Sequence, residues 1–492
     1  MPTTAAKVRD RIAVVRRVAL RVLIYLILPA QALLPVSDPD IWWHLSTGRW
    51  ILQNGAVPFE DPFSAYGAGR AWIAYSWLFE LIAYAVYVAA GIPGLVWLTA
   101  AMALLIAFAV HALVRRKQPP LSVEVLLAAL ALGAMKPLAS PRPWLFSILF
   151  FSLELLLIAR ARESENGREL WLLPPLFVVW ASLHIQFVYG LAAVGLLFLE
   201  SLLARRPSRL RCDIHAPRLS PGRVASAGAA CFVATLISPY HLLVYRPLVE
   251  YAVQSGVFES ISELHPMFFR SPADWIVLFL ALGAVFLLGR SGRWTPFPTL
   301  LLAMGVLLGF RARRDIWVLV LGSTAVVSDY FGEFHGGRSI PFTRRQALAA
   351  AVLAVAALCA IGWWRQLTES RLQAEVEAKY PAGAVEYIRT HRLKGPMFNT
   401  LDWGGYLIWR LPEVPVAIDG RTNLHGEERV SGLLNVWLGY PGWDANPELA
   451  AANFIIADHH RPLTFLLRRH PGYRVVYEDR VAVVFVPLRG AR

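Results

Sequence analysis

Long apolar windows recur along this chain as far as residue 364, and they constrain its fold more than any other feature. Uncharged or nearly uncharged runs occupy 19–34, 92–114, 121–138, 143–158, 170–183, 188–203, 224–243, 275–288, 300–310, 316–330 and 347–364. A helix of about 20 such residues crosses a bilayer. Charged residues make up 17% of the chain, against roughly a quarter in a soluble domain. The pattern predicts an all-α polytopic membrane protein with about 11–13 transmembrane helices.

The formal net charge of +14 would suit a nucleic-acid binder, but its distribution argues against one. The basic residues fall in short clusters between apolar runs: Arg115–Lys117, Arg205-Arg206, Arg209, Arg211 and Arg344-Arg345. Cytoplasmic loops enriched in Lys and Arg account for them. The basic N-terminus before the first run (Lys7, Arg9, Arg11, Arg16, Arg17) reads as the cytoplasmic tail of an uncleaved first helix. Cys212, Cys231 and Cys359 match no disulfide or metal spacing.

The same rule places residues 37–70 outside as a polar loop, with 245–274 as a second outer loop. It also demands an odd number of crossings between residues 71 and 114, where two candidate spans are visible. One of the two is then short or re-entrant. Beyond Trp364 the composition changes. A polar helix pair broken at Pro381 leads into strand-like runs "GPMFNT", "VPVAID", "NFIIAD" and "RVVYEDRVAVVFV", with an amphipathic helix "RPLTFLLRRH" between the last two. That alternation predicts a small soluble α/β domain over 366–492, following a transmembrane domain over 1–365. "DWGGYLIW" and "DGRTN" read as turns at strand ends.

The first outer loop concentrates chemistry. Asp38, Asp40, His44, Arg49, Glu60 and Asp61 lie interleaved with Trp42, Trp43, Trp50 and Phe63. As a helix along the membrane surface, "DIWWHLSTGRWIL" would put Asp40 and His44 on one face, with its tryptophans anchored in the headgroup layer. An interfacial aromatic belt with no chemistry is the plain alternative. Asp38 also suits a helix N-cap.

The arrangement of the whole segment resembles the first outer loop of glycosyltransferases of the C-type membrane fold. That superfamily includes protein O-mannosyltransferases, aminoarabinose transferases and oligosaccharyltransferase catalytic subunits. The resemblance is carried by "PD-x-x-x-H-x-x-x-G-x-x-I" over Pro39–Ile51, by "GAVPFEDPFSAYG", and by "AWIAYSWLFE", where Glu80 re-enters the membrane. "WASLHIQFVYGL" and the C-terminal "WGGYLIW…IDGR" resemble a bacterial group within that superfamily. The resemblance implies sugar transfer from a polyprenyl-phosphate donor to a glycan, lipid or protein acceptor at the outer face of the bacterial cytoplasmic membrane. It places Asp40 at the family's loop acid, as general base or metal ligand, with Asp61 as second candidate and Asp38 as third. A base must take the acceptor hydroxyl proton, or a divalent cation (Mg or Mn) held by carboxylates must stabilise the leaving phosphate.

Further candidates for substrate binding are His44, Trp43 and Glu80 in this region, His184 in an apolar run, Arg142 between two prolines, Glu263 in the second loop, and Arg314 beside Asp315. Snorkelling or topological anchoring explains the arginines equally well. The C-terminal domain carries Asp402, Asp419, Arg421, His425, His459 and His460. "ADHH" reads as a loop with solvated histidines rather than a metal pair, since no third ligand accompanies it at a fixed spacing. The domain either contacts the acceptor, caps the cavity or packs against the outer loops. Two other functions compete with transfer: a transporter or flippase of lipid-linked substrates, and a non-catalytic envelope-assembly protein. The acids gather in one loop and no inverted repeat is visible, which disfavours transport.

Overall fold

The computed structural model describes residues 4–205, 217–253, 263–334 and 342–488. Cys212 and the basic residues Arg206, Arg209 and Arg211 lie outside them. The chain divides into two compact units, one of residues 1–34, 96–238 and 263–367, the other of 35–95, 239–262 and 368–492.

The first unit is helical. Trp144–Ser164, Pro272–Arg290 and Arg344–Trp364 are long and apolar enough to cross a membrane, as is Trp77–Arg115, which the unit boundary divides. Leu121–Ala134, Phe187–Leu203 and Pro296–Arg311 are shorter apolar helices. Leu282, Val285 and Phe286 on one span, and Leu348, Val352 and Val355 on another, stay exposed, as lipid-facing side chains do. Trp363 and Trp364 stand exposed at the end of the last span, a position suited to an interfacial belt. The helix Pro296–Arg311 packs on Ile316–Phe334 through Gly305 and Gly309, where an added Cβ would press on Leu319. Small residues four apart permit that approach.

The unit also buries charge. Arg21 donates to both carboxylate oxygens of Glu124 (Nε at 2.6 Å, Nη2 at 2.9 Å), His111 Nε2 lies 2.7 Å from the same group, and Tyr25 is bonded to His111. Lone charges in apolar surroundings are prohibitive, so they occur paired.

The two apolar segments between residues 71 and 114 are one 39-residue helix, Trp77–Arg115, broken at Gly91 (φ 61°, ψ −153°). That backbone conformation suits glycine, and Pro93 follows it. The freed Ile92 N–H is recaptured by Glu369 at 2.9 Å.

The second unit has a four-stranded mixed sheet, β1 (Met397–Asn399), β2 (Phe454–Asp458), β3 (Tyr473–Glu478) and β4 (Ala482–Pro487), in the order β1-β2-β4-β3. β1 pairs parallel to β2, and β4 runs antiparallel to both neighbours. Phe398, Val430, Leu433, Ile455, Leu463 and Phe485 belong to its core. The helices Glu369–Glu377, Ala382–Thr390 and Pro462–Arg469 lie where the sequence predicts them.

Two expectations fail here. "VPVAID" forms no strand of the sheet; Val416 instead bridges in parallel to Ser64 of the first loop. "DWGGYLIW" is not a turn but the helix Leu401–Arg410. Its glycines clear space: a Cβ on Gly404 would strike the Ile418 carbonyl and Asp419, and one on Gly405 would strike the Pro39 carbonyl and Trp43.

Gly48 plays the same part in the helix Ile41–Asn54, where a Cβ would collide with the Glu80 carbonyl and Tyr84 Cβ. Because backbone cannot yield as a side-chain end does, Gly48→Ala is expected to cost about 1–3 kcal/mol. A lowered melting temperature of the detergent-solubilised chain checks this.

Candidate functional site

The first loop begins with Asp38, whose Oδ1 accepts the Asp40 N–H at 3.0 Å. This closes a turn that delivers the chain into the helix Ile41–Asn54. The N-cap position itself is held by Asp40, with no side-chain capping bond. Asp38 is buried and Asp40 half-buried.

The helix is not a surface element, and its first tryptophans are not headgroup anchors. Ile41 to Gly48 are all buried. Trp42 stands edge-on to Tyr380 and Tyr406, with centroids 5.8 and 5.5 Å away. Trp43 lies on His44 (3.6 Å) and edge-on to Trp72 (6.4 Å). Edge-on aromatic pairs of this kind are worth about 0.5–1.5 kcal/mol beyond the area they bury. His44 Nδ1 is 3.2 Å from Oε1 of the buried Glu80, so Glu80 supports this helix from the start of Trp77–Arg115.

Asp61 is enclosed. Its Oδ1 accepts from Phe63 N–H (3.0 Å) and Arg421 Nη1 (2.5 Å), and its Oδ2 from Ser64 N–H (3.1 Å) and Ser64 hydroxyl (2.5 Å). Four donors fill the four lone-pair positions of a carboxylate. Arg421 binds Asp419 in a fork, Nε to Oδ1 at 2.8 Å and Nη2 to Oδ2 at 2.7 Å, while its own N–H donates to Oδ1 at 2.9 Å. His425 Nε2 is 3.2 Å from Asp419 Oδ2. All four side chains are buried. The Arg421 guanidinium, with His425, holds the Asp419 carboxyl far below the usual carboxylate range despite burial, and Asp419 with Asp61 raises Arg421.

Asp40 lies against the same turn. A Cβ on Gly420 would run into the Asp40 carboxylate. The loop is further fixed by Tyr240, whose hydroxyl donates to the Pro58 carbonyl (2.7 Å) and accepts the Ala74 N–H (3.1 Å). Arg49 sits 4.4 Å over the Trp409 ring. The two quoted sequence regions, "DPDIWWHLSTGRW" with "EDPFS" and "WGGYLIW…IDGR", are therefore one structure.

In the other unit, three predicted residues gather and a fourth feels their charge. Arg142 Nη2 donates to Glu263 Oε1 at 3.0 Å, and the Glu263 carbonyl accepts the Arg314 N–H at 3.1 Å. The charges of Arg142 and Arg314 reach His184, whose Nδ1 lies 2.8 Å from the Ser147 hydroxyl. Asp315, beside Arg314, accepts from Gln186 Nε2 (2.6 Å) and Tyr189 hydroxyl (3.0 Å).

Among the described residues, no three His, Cys, Asp or Glu side chains are grouped to hold a metal ion. The expected pairing of Asp61 with a divalent cation meets a guanidinium where that cation would stand, so the donor set there does not fit one. Sequence reading missed Asp419–Arg421 as partners of Asp61, and it missed Tyr240 altogether. It also passed over Arg21, His111 and Glu124, which the rule that ionisable groups in spans are significant would have caught.

No protein-family model and no curated protein matches this sequence. Solved structures do share its architecture. An Archaeoglobus fulgidus oligosaccharyltransferase in the apo form aligns at 12% identity with a TM-score of 0.54, over 90% of this chain and 69% of that one. ArnT from Cupriavidus metallidurans bound to undecaprenyl phosphate aligns at 15% identity and 0.50, over 97% of this chain and 98% of that one. The chain has the C-type glycosyltransferase fold. A complex of the Archaeoglobus enzyme with Zn and sulfate aligns at 12% identity and 0.50, over 96% and 73% of the two chains. At such identities the likeness is one of fold. Together with its exposed apolar helices, the C-type fold makes this a multi-pass membrane protein.

Proposed function

We propose that the chain is an integral-membrane glycosyltransferase. In this reading it moves a sugar from a polyprenyl-phosphate donor to an envelope glycan, lipid or protein acceptor at the outer face of the bacterial cytoplasmic membrane. The observation that carries the reading is Asp40: a half-buried carboxylate, at the position of the family's loop acid, in a chain folded like ArnT bound to undecaprenyl phosphate.

Asp40 acts as general base. It takes the proton of the acceptor hydroxyl as that oxygen bonds to the anomeric carbon, and the carbon–oxygen bond to phosphate breaks. Polyprenyl phosphate leaves with the electron pair. Asp61 is assigned to holding the loop, since its oxygens already accept four bonds. Within their own unit, Arg142 and Arg314 carry positive charge of the kind that suits a phosphate.

Reconstitution tests the reading. In proteoliposomes bearing labelled polyprenyl-phosphate sugar, acceptor-dependent release of polyprenyl phosphate is expected. Passage of intact donor across the bilayer without cleavage would instead establish a flippase. Within the transferase reading, Arg142→Lys keeps the charge and loses the planar fork. Its donor KM is expected to rise about tenfold with kcat held, read from initial rates at varied donor.

A further inference from the structure

We propose that Arg421 is a positioning residue for Asp40, acting through the Asp419–Gly420–Arg421 turn, so that the C-terminal segment is part of the catalytic apparatus. This rests on the glycosyltransferase reading above. A base must lie within hydrogen-bond reach of the proton it removes. Asp40 holds the N-cap position of its helix without a side-chain capping bond. What lies under that carboxylate is Gly420, close enough that a Cβ there would displace it.

The turn bearing Gly420 is rigid for a visible reason. Arg421 clamps Asp419 through three bonds, two from the guanidinium and one from its main-chain N–H. Its remaining arm reaches Asp61, tying the turn to the loop that Asp40 begins. The residue before Asp40 is seated on the same segment, since the Pro39 carbonyl lies over Gly405. Asp40 and the residue before it therefore both rest on residues near the other end of the chain, the carboxylate on Gly420 and the Pro39 carbonyl on Gly405. Arg421 is too enclosed to reach substrate, its guanidinium being shared between two carboxylates. It acts by holding the surface on which the base rests.

Three variants of the full chain in nanodiscs test this, using a polyprenyl-phosphate sugar donor and an acceptor. Gly420→Ala pushes only on the end of the Asp40 side chain, so folding and melting temperature are expected to hold. Displacing the base by about 1 Å is expected to lower kcat about 10²-fold with donor KM unchanged. Arg421→Gln is expected to lower kcat per folded molecule and shift the acid limb of its pH profile. Arg421→Lys is expected to restore part of both. A merely structural role predicts otherwise: lower melting temperatures, with kcat per folded molecule and the pH limb unmoved. That result, with Asp40→Asn inactive, overturns the inference alone. A fully active Asp40→Asn overturns the transferase reading, and the inference with it.

Discussion

Asp40→Asn is expected to lower sugar transfer by about 10²- to 10⁴-fold, the range a general base supplies, while leaving donor KM and expression unchanged. The amide is nearly isosteric with the carboxylate and keeps the packing over Gly420, but it cannot accept a proton at working pH. Asp61→Asn provides the contrast. Its carboxylate accepts four bonds and faces Arg421, so that change is expected to lower stability first and rate only as folded protein is lost. Initial rates normalised to folded protein, with melting temperatures from the same samples, separate the two aspartates. Equal rates for Asp40→Asn and wild type would remove Asp40 from the chemistry.

Asp419→Ala carries the largest expected effect on stability. It leaves a fully buried guanidinium with Asp61 alone and removes the carboxylate beside His425 Nε2. Breaking a buried pair by removing one partner costs about 3–5 kcal/mol. The pH dependence has a definite sign. The folded-state pKa of Asp419 is held far below its unfolded value, so its contribution is complete above about pH 4, the unfolded carboxylate value. It declines as pH falls further. Arg421 is raised and stays charged throughout, so it adds no slope there. The gap in melting temperature between wild type and Asp419→Ala is therefore expected to be constant from neutral pH to about 5 and to narrow below 4. A gap that narrows already between pH 7 and 5 would refute this account.

Local signals served where structure is local. The helix Ile41–Asn54 is legible from its Pro-Asp opening and apolar spacing, and β2 from its β-branched run; the single run "RVVYEDRVAVVFV" is divided into β3 and β4, an antiparallel pair. Where the deciding partner is distant, those signals misled. "DWGGYLIW" carries two glycines, which in isolation argue for a turn; only the backbones pressed against Gly404 and Gly405 explain why the helix keeps them. Trp42 and Trp43 read as membrane anchors because the rings that enclose Trp42, Tyr380 and Tyr406, lie more than 300 positions on. Asp61 looked like an available acid for the same reason. A carboxylate in sequence shows its charge, whereas its burial and its counter-ion belong to the fold.

The Asp61–Arg421 pair spans 360 positions, which has a consequence for biogenesis. At about 5–20 residues per second, the ribosome delivers the guanidinium roughly 20–70 s after the carboxylate. Throughout that interval the nascent chain carries an acidic, aromatic loop with neither its floor nor its counter-ion. The loop must wait in water, in a chaperone or against lipid. A premature stop before Arg421 therefore yields a product for quality-control proteases, with every apolar helix made and nothing to close the loop.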